Sequence, residues 1–250
     1  MRSLAGMALL MLSAWAVPVA ASPSDIGGPG ISTDHKWKMT FEYKDDADIS
    51  WVLPKLAYSR PLAARFEGEV ALSRMVVEDA QGARTAGVGD VEFKGKWALR
   101  TMDGGAGPGI ALEPKLILAA GPRDSGPGVR STQFELPVLV GWQWDAFGLY
   151  TKAGYRHGLS GRHADRRYMG GVLGTWQPSG SRTRYGLDLY AETPWEDPGR
   201  YRLHANLGVN WYLSRSIEVQ ALVGRSVRHP EDRDAYKAKL VIEYKFDGRG

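Results

Sequence analysis

The sequence has 250 residues, 43% of them hydrophobic, with 32 Lys and Arg against 28 Asp and Glu, a net charge of +4 and a pI near 9.2. So slight a basic excess does not argue for a nucleic-acid partner. The lack of cysteine excludes a disulfide framework and a lipoprotein anchor, and no run beyond the N-terminus approaches the ~18 apolar residues of a spanning helix.

Arg2 opens the chain, an apolar run from Leu4 to Val19 follows, and Val19-Ala20-Ala21 supplies small residues for cleavage. This predicts a secretory signal peptide over residues 1–21. Residues 22–35, rich in Ser, Pro and Gly, predict a flexible periplasmic lead-in. Alternation then begins. The first strand sets Trp37, Met39, Phe41 and Tyr43 against Lys36, Lys38, Thr40 and Glu42. A second, about 50–58, contains Pro54, and its phase stays open because proline in a strand signals a bulge or an edge. The third carries Leu62, Ala64, Phe66, Gly68, Val70 and Leu72 opposite Arg65, Glu67, Glu69 and Ser73. In the fourth, Val91, Phe93, Gly95, Trp97 and Leu99 oppose Asp90, Glu92, Lys94, Lys96 and Arg100.

The fifth strand, about 110–120, opposes Leu112, Pro114, Leu116 and Leu118 to Glu113 and Lys115. Phe134 to Trp142 mark the sixth, and Asp145-Ala146 turn the chain into a seventh from Phe147 to Tyr155. The eighth runs from Tyr168 to Trp176, the ninth from Tyr185 to Glu192, and the tenth from Tyr201 to Trp211. Ile217 to Val223 define the eleventh. The twelfth is the clearest ending: Tyr236, Ala238, Leu240, Ile242, Tyr244 and Phe246 alternate with Lys237, Lys239, Val241, Glu243 and Lys245.

A period of two gives each strand one apolar and one polar face. Lipid admits only helices or closed barrels, so the pattern predicts an all-β, transmembrane antiparallel up-and-down β-barrel over residues 36–246, with a short tail at 247–250. Twelve strands satisfy the even number of bacterial barrels; ten or fourteen are alternatives. A soluble sandwich or lipocalin-like barrel also alternates. Against it stand the charges on the polar face and the tryptophans near strand ends: Trp37, Trp97, Trp142, Trp144, Trp176 and Trp211. Loop lengths agree. The short turns at Asp145-Ala146 and Ser214-Arg215-Ser216 are even-numbered, and longer polar loops near 76–87, 121–131, 157–167, 192–200 and 228–235 are odd-numbered. The connections near 45–49 and 102–109 fit this rule poorly.

Three segments resemble one family of outer-membrane proteins. Gly87-Val88-Gly89-Asp90 runs into Val91 through Trp97; the apolar strand from Pro114 meets a loop from Gly121-Pro122-Arg123 to Gly128; the last strand closes on Tyr244-Lys245-Phe246. The family is that labelled "MetA-pathway of phenol degradation", or outer-membrane transporter. This chain departs from it in having Ala120-Gly121-Pro122 where a Pro-Thr-Gly turn is expected, and in extending past Phe246. The resemblance implies an outer-membrane channel or transporter of a Gram-negative cell, with aromatic compounds as one substrate class.

The polar face, read as a lumen, predicts ten pore-lining residues: Glu67, Glu69, Lys94, Lys96, Arg100, Lys115, Lys152, Arg156, Asp188 and Arg202. Rings of such side chains select ions in a water-filled pore. Paired across strands, the same charges would close it. Cationic residues slightly outnumber anionic ones, which points to small anions. A lipase-type serine–histidine pair is not expected, because Ser160 follows His157 by three residues and faces away. Five scattered histidines make no metal cluster, and Asp45-Asp46-Ala47-Asp48 lacks the rest of a calcium loop. No cofactor is expected. The partners are outer-membrane lipids and a small-molecule solute, with a lipopolysaccharide contact proposed for Arg162, Arg166 and Arg167 and no nucleic acid.

Overall fold

A computed structural model describes residues 26–46, 49–79, 81–102, 107–119, 132–159 and 166–246. The expected signal peptide, the C-terminal tail and the loop at 121–131 lie outside these residues. All regular elements among them are strands: β1 (His35–Asp45), β2 (Ile49–Ala63), β3 (Phe66–Glu78), β4 (Arg84–Arg100), β5 (Gly109–Leu112), β6 (Lys115–Leu118), β7 (Gln133–Trp144), β8 (Phe147–Gly158), β9 (Arg166–Trp176), β10 (Thr183–Pro194), β11 (Arg202–Tyr212), β12 (Ile217–Arg228) and β13 (Tyr236–Phe246).

Each strand pairs antiparallel with its neighbours, and β1 pairs with β13 from His35↔Phe246 to Asp45↔Tyr236, which closes the barrel. β5 and β6 are halves of one strand. β4 pairs with both in a single register, Trp97↔Leu112 and then Lys94↔Lys115, and only Glu113-Pro114 separates them. The barrel therefore has twelve staves.

Burial is inverted relative to a soluble protein. Leu187 is 55% exposed, Leu207 61% and Val223 60%, whereas Glu218 and Glu243 on the opposite faces are buried. An apolar belt this continuous demands apolar surroundings, and it excludes the sandwich reading. Aromatic rings cap the belt at both ends. At the end that holds the short turns, the start of β1 and the end of β13, Trp37 lies against Tyr58, Trp176 against Tyr185 and Tyr244 against Phe246. At the opposite, loop end, Trp195 lies against Tyr155 and Tyr168, and Tyr43 against Trp51. These are the two girdles of a membrane barrel.

Two sequence expectations need correction, and one open point resolves. Leu62 belongs to β2, not the third strand, because Ala64 and Arg65 turn the chain before Phe66; a two-residue turn preserves parity and merges two alternating runs into one. The connection expected over 76–87 is short, spanning 79–83, since β3 and β4 continue past the apolar belt. Asp79 Oδ1 accepts from the Gln81 and Ala83 amides there, and Gly82 takes φ 82°. The open phase of the second strand resolves as a bulge: the β2–β3 register shifts between Val52 and Lys55, around Pro54.

Candidate functional site

Alternation turns every second residue toward the axis, and because that face carries the charged side chains, charge accumulates where twelve strands converge. The central cavity, about 770 Å³, reaches from Asp45 and Asp46 at the loop end down to Gly27, Gly28 and Gly30. Twelve Lys and Arg side chains line it, against ten Asp and Glu.

Most of these charges bridge strands. Glu69 on β3 joins Lys38 on β1 at 2.7 Å and Lys94 on β4 at 2.8 Å. Glu92 receives Lys55 at 2.6 Å and Lys115 at 3.1 Å. Arg156 spans Glu135 at 2.7 Å and Glu192 at 3.3 Å, and Arg167 reaches Glu192 at 3.7 Å. Toward the turn end, Lys245 links Glu218 at 2.9 Å and Glu243 at 3.5 Å. Charge-assisted contacts of this kind fix both partners in place. The result is a wall of shared ion pairs around an open space.

The turn end of that space has a floor. The segment expected as a flexible lead-in runs, over residues 26–34, against the inner wall. Ile26 is fully buried among Tyr150, Met169, Leu173 and Tyr190 of β8, β9 and β10, with Met102 beside them. Glycines make the room. A Cβ at Gly171 would meet Ile26 Cδ1 at 2.6 Å, and one at Gly141 would meet Pro29 Cδ at 2.8 Å. The segment's backbone is tied to lumen charges: Lys96 Nζ donates to the Gly28 carbonyl at 3.1 Å, and the Ser32 amide donates to Glu67 Oε2 at 3.0 Å.

Eight of the ten predicted pore-lining residues lie on this cavity: Glu67, Glu69, Lys94, Lys96, Lys115, Lys152, Arg156 and Arg202. Two do not. Asp188 faces inward but is buried, accepting from Asn206 Nδ2 at 2.6 Å. Arg100 is exposed at the turn end of β4, beyond a register shift between Ala98 and Arg100. Arg202 contacts Asp46 at 2.6 Å, and His229 and Arg233 reach the same carboxylate at 3.2 and 3.1 Å. The aspartate singled out as part of a calcium-like run thus clasps the loop end.

Lys36, Lys38, Glu92, Glu243 and Lys245 are not among the ten predicted residues, although the same alternation that marks Lys94 and Glu69 points them inward; Lys55, on the strand whose phase the sequence leaves open, carries no such signal. Ile26 and Pro29 had no such signal, since a Pro- and Gly-rich segment carries no period. Of the arginines assigned to lipopolysaccharide, Arg162 lies outside the described residues and Arg167 faces Glu192.

No family model matches the sequence, and no curated protein does. Solved structures do match. The chain is similar to the COG4313 outer membrane channel from Pseudomonas putida F1, at a TM-score of 0.69 and 13% identity over 91% of this chain and 100% of that one. It is also similar to the NanC porin, at 0.60 and 9% over 84% and 100%. The beta domain of the Bordetella autotransporter BrkA follows at 0.57 and 14% over 86% and 100%. One architecture thus serves proteins of different roles. The likeness is one of fold: the chain has the closed antiparallel architecture of outer-membrane β-barrels.

Proposed function

We propose that this chain is an outer-membrane channel that passes small solutes, anions ahead of cations, through a charged lumen floored by residues 26–34. The cavity carries this reading: it runs from the Asp46 clasp to the N-terminal segment, with more lysines and arginines than carboxylates on its wall. Twelve strands stand between the eight that side chains fill and the sixteen that leave a wide channel, so solutes of modest size suit it. The turns and both chain ends would face the periplasm, with the chain exported by its signal peptide. The resemblance to the phenol-degradation barrels adds aromatic compounds to the candidate solutes, and the porin and channel neighbours support passage. Arg166, exposed beside the loop-end girdle, is the residue through which a lipopolysaccharide contact would run.

A non-conducting barrel is the second reading. The cross-strand ion pairs and the seated segment favour it. Single-channel recording of the refolded protein in a planar bilayer separates the two. The channel reading expects reproducible current steps and anion selectivity, with the reversal potential moving toward cations in the Lys94→Glu, Lys96→Glu double variant. Silence from a protein shown to be folded and inserted would leave the structural role.

A further inference from the structure

We infer that Arg225 and Arg228, with Arg200 beside them, form a site on the outer rim of the barrel for a lipid phosphate, carried by lipid A, the phosphorylated disaccharide anchor of lipopolysaccharide. The inference rests on the loop end facing the outer leaflet and not on conduction, and the site stands three strands along from Arg166.

Strict alternation would keep Arg225 and Arg228 apart, since residues three apart on a strand point to opposite faces. An irregularity in β12 brings them together. Ser226 pairs with His204 but Arg228 pairs with Leu203, so Val227 is an extra residue. Such a bulge re-aims the side chains beyond it. Arg228 thereby joins Arg225 on the exposed outer face. Ser226 stays buried on the inner side, its hydroxyl accepting from the Ala235 amide at 2.9 Å.

Strand register sets their level in the membrane. Arg225 pairs with Tyr236, one step beyond Ala238, and Ala238 pairs with Tyr43 of the loop-end girdle. One step is two residues, about 7 Å of strand, which carries the arginines out of the apolar belt and into the headgroup layer. The hollow they line there, about 500 Å³, holds Arg200, Arg225, Arg228 and Arg233 against Asp232 and Asp234. Two of these arginines already have carboxylates: Arg225 has Asp234 at 2.8 Å, and Arg233 has Asp46 at 3.1 Å and Glu231 at 2.8 Å.

Arg228 has none among the described residues. It donates to the Tyr201 hydroxyl at 2.9 Å and, more loosely, to the Gly199 carbonyl at 3.5 Å, and its guanidinium carbon lies 4.1 Å from the centre of the Tyr201 ring. A guanidinium laid on a ring is fixed by its face and keeps its in-plane N–H fork for a ligand. Phosphate is a stronger acceptor for that fork than a hydroxyl or a peptide carbonyl. Arg84 provides the contrast. It too lies over a ring at the loop end, 5.7 Å from the centre of Trp51, but Glu78 holds it at 2.6 Å. Arg228 is thus an ordered, exposed cation without a counter-charge, at the depth where the leaflet carries its phosphates.

Isothermal titration calorimetry of the folded full chain in detergent micelles, with lipid A and its dephosphorylated form as probes, tests this. The dephosphorylated lipid is expected to bind about tenfold more weakly, as is lipid A to the Arg225→Gln, Arg228→Gln double variant. Arg228→Lys keeps the charge but not the planar fork and should cost about threefold; it decides the matter if the double variant does not fold. Arg84→Gln should leave affinity within about twofold, because that arginine is held by its own carboxylate. Excess inorganic phosphate should not displace the lipid, since the free ion has no acyl chains to lie along the belt. The inference is overturned if the dephosphorylated lipid binds as tightly, if Arg228→Lys leaves affinity unchanged, or if Arg84→Gln costs as much as the double variant. Displacement by inorganic phosphate would also overturn it, by making this a site for the free ion. Lipid A binding to a protein that is silent in planar bilayers would end the channel reading and leave the site standing. Currents from a protein that does not bind lipid A would do the reverse.

Discussion

Glu69 holds two lysines from two different strands, Lys38 at 2.7 Å and Lys94 at 2.8 Å, with little exposure of its own side chain. Removing one member of such a group leaves the others uncompensated, and that penalty exceeds what the intact pair contributes. Glu69→Gln is therefore expected to lower stability by about 1–3 kcal/mol, less than in a dry core because the cavity is hydrated. A urea midpoint measured in micelles reads this change. The same substitution raises the net positive charge of the lumen, so the reversal potential should move toward anions. An unchanged midpoint together with an unchanged potential would remove Glu69 from the account of the lumen. Lys38 also shows how far single residues were legible. The alternation of the first strand placed it on the polar face, but nothing in a linear pattern says that it meets residue 69, because that contact depends on strand neighbours.

At the scale of elements, two prolines thin one part of the wall. Pro114 interrupts the strand made of β5 and β6, and Pro137 sits opposite Glu113 in β7. The Pro114 carbonyl accepts from the Gly95 amide and the Pro137 carbonyl from the Glu113 amide, at 2.9 and 3.0 Å. The reciprocal bonds cannot form, since proline has no N–H to donate. Pro114→Val should restore a donor toward Gly95, adding about 0.5–1.5 kcal/mol and slowing amide exchange in β4 and β7. Exchange no slower than in the unmodified chain would show that the missing bond is not what weakens this wall. Existence and order of elements were readable from period-2 alternation because a barrel strand presents one face to lipid and one to water along its whole length. Boundaries were less so. Alternation alone carries Leu62 across the Ala64–Arg65 turn into the third strand, and it stops short of the ends of β3 and β4, since strands that leave the membrane lose the apolar half of their signal.

At the scale of the molecule, the two faces of the barrel make opposite demands. Leu240 and Val241 are neighbours in β13; Leu240 belongs to the outer belt and Val241 lines the cavity. A one-residue slip would exchange them. Leu240→Lys should destabilise the barrel in lipid vesicles by about 2–4 kcal/mol, whereas Val241→Lys is expected to be tolerated because the lumen already holds water and carboxylates. Equal costs would mean that the faces have been assigned the wrong way round. The closed shape itself was legible from the strand count and the lack of any spanning helix. The lumen floor was not, because residues 26–34 act through shape and through contacts with distant strands.

The pairing of β1 with β13 has a further consequence, for the order in which the protein assembles. Hairpins such as β7–β8 join neighbours in sequence and can form early. The seam joins His35 to Phe246, and the Asp46 clasp ties the first connection to Arg202, His229 and Arg233 across that same side. Contacts between such remote parts of a chain carry the largest loop-closure cost and form late. Until the seam closes, β1 and β13 present two unsatisfied edges, open to pairing with another copy. The clasp is placed to hold the edges together once they meet, so folding of this barrel ends where its chain begins.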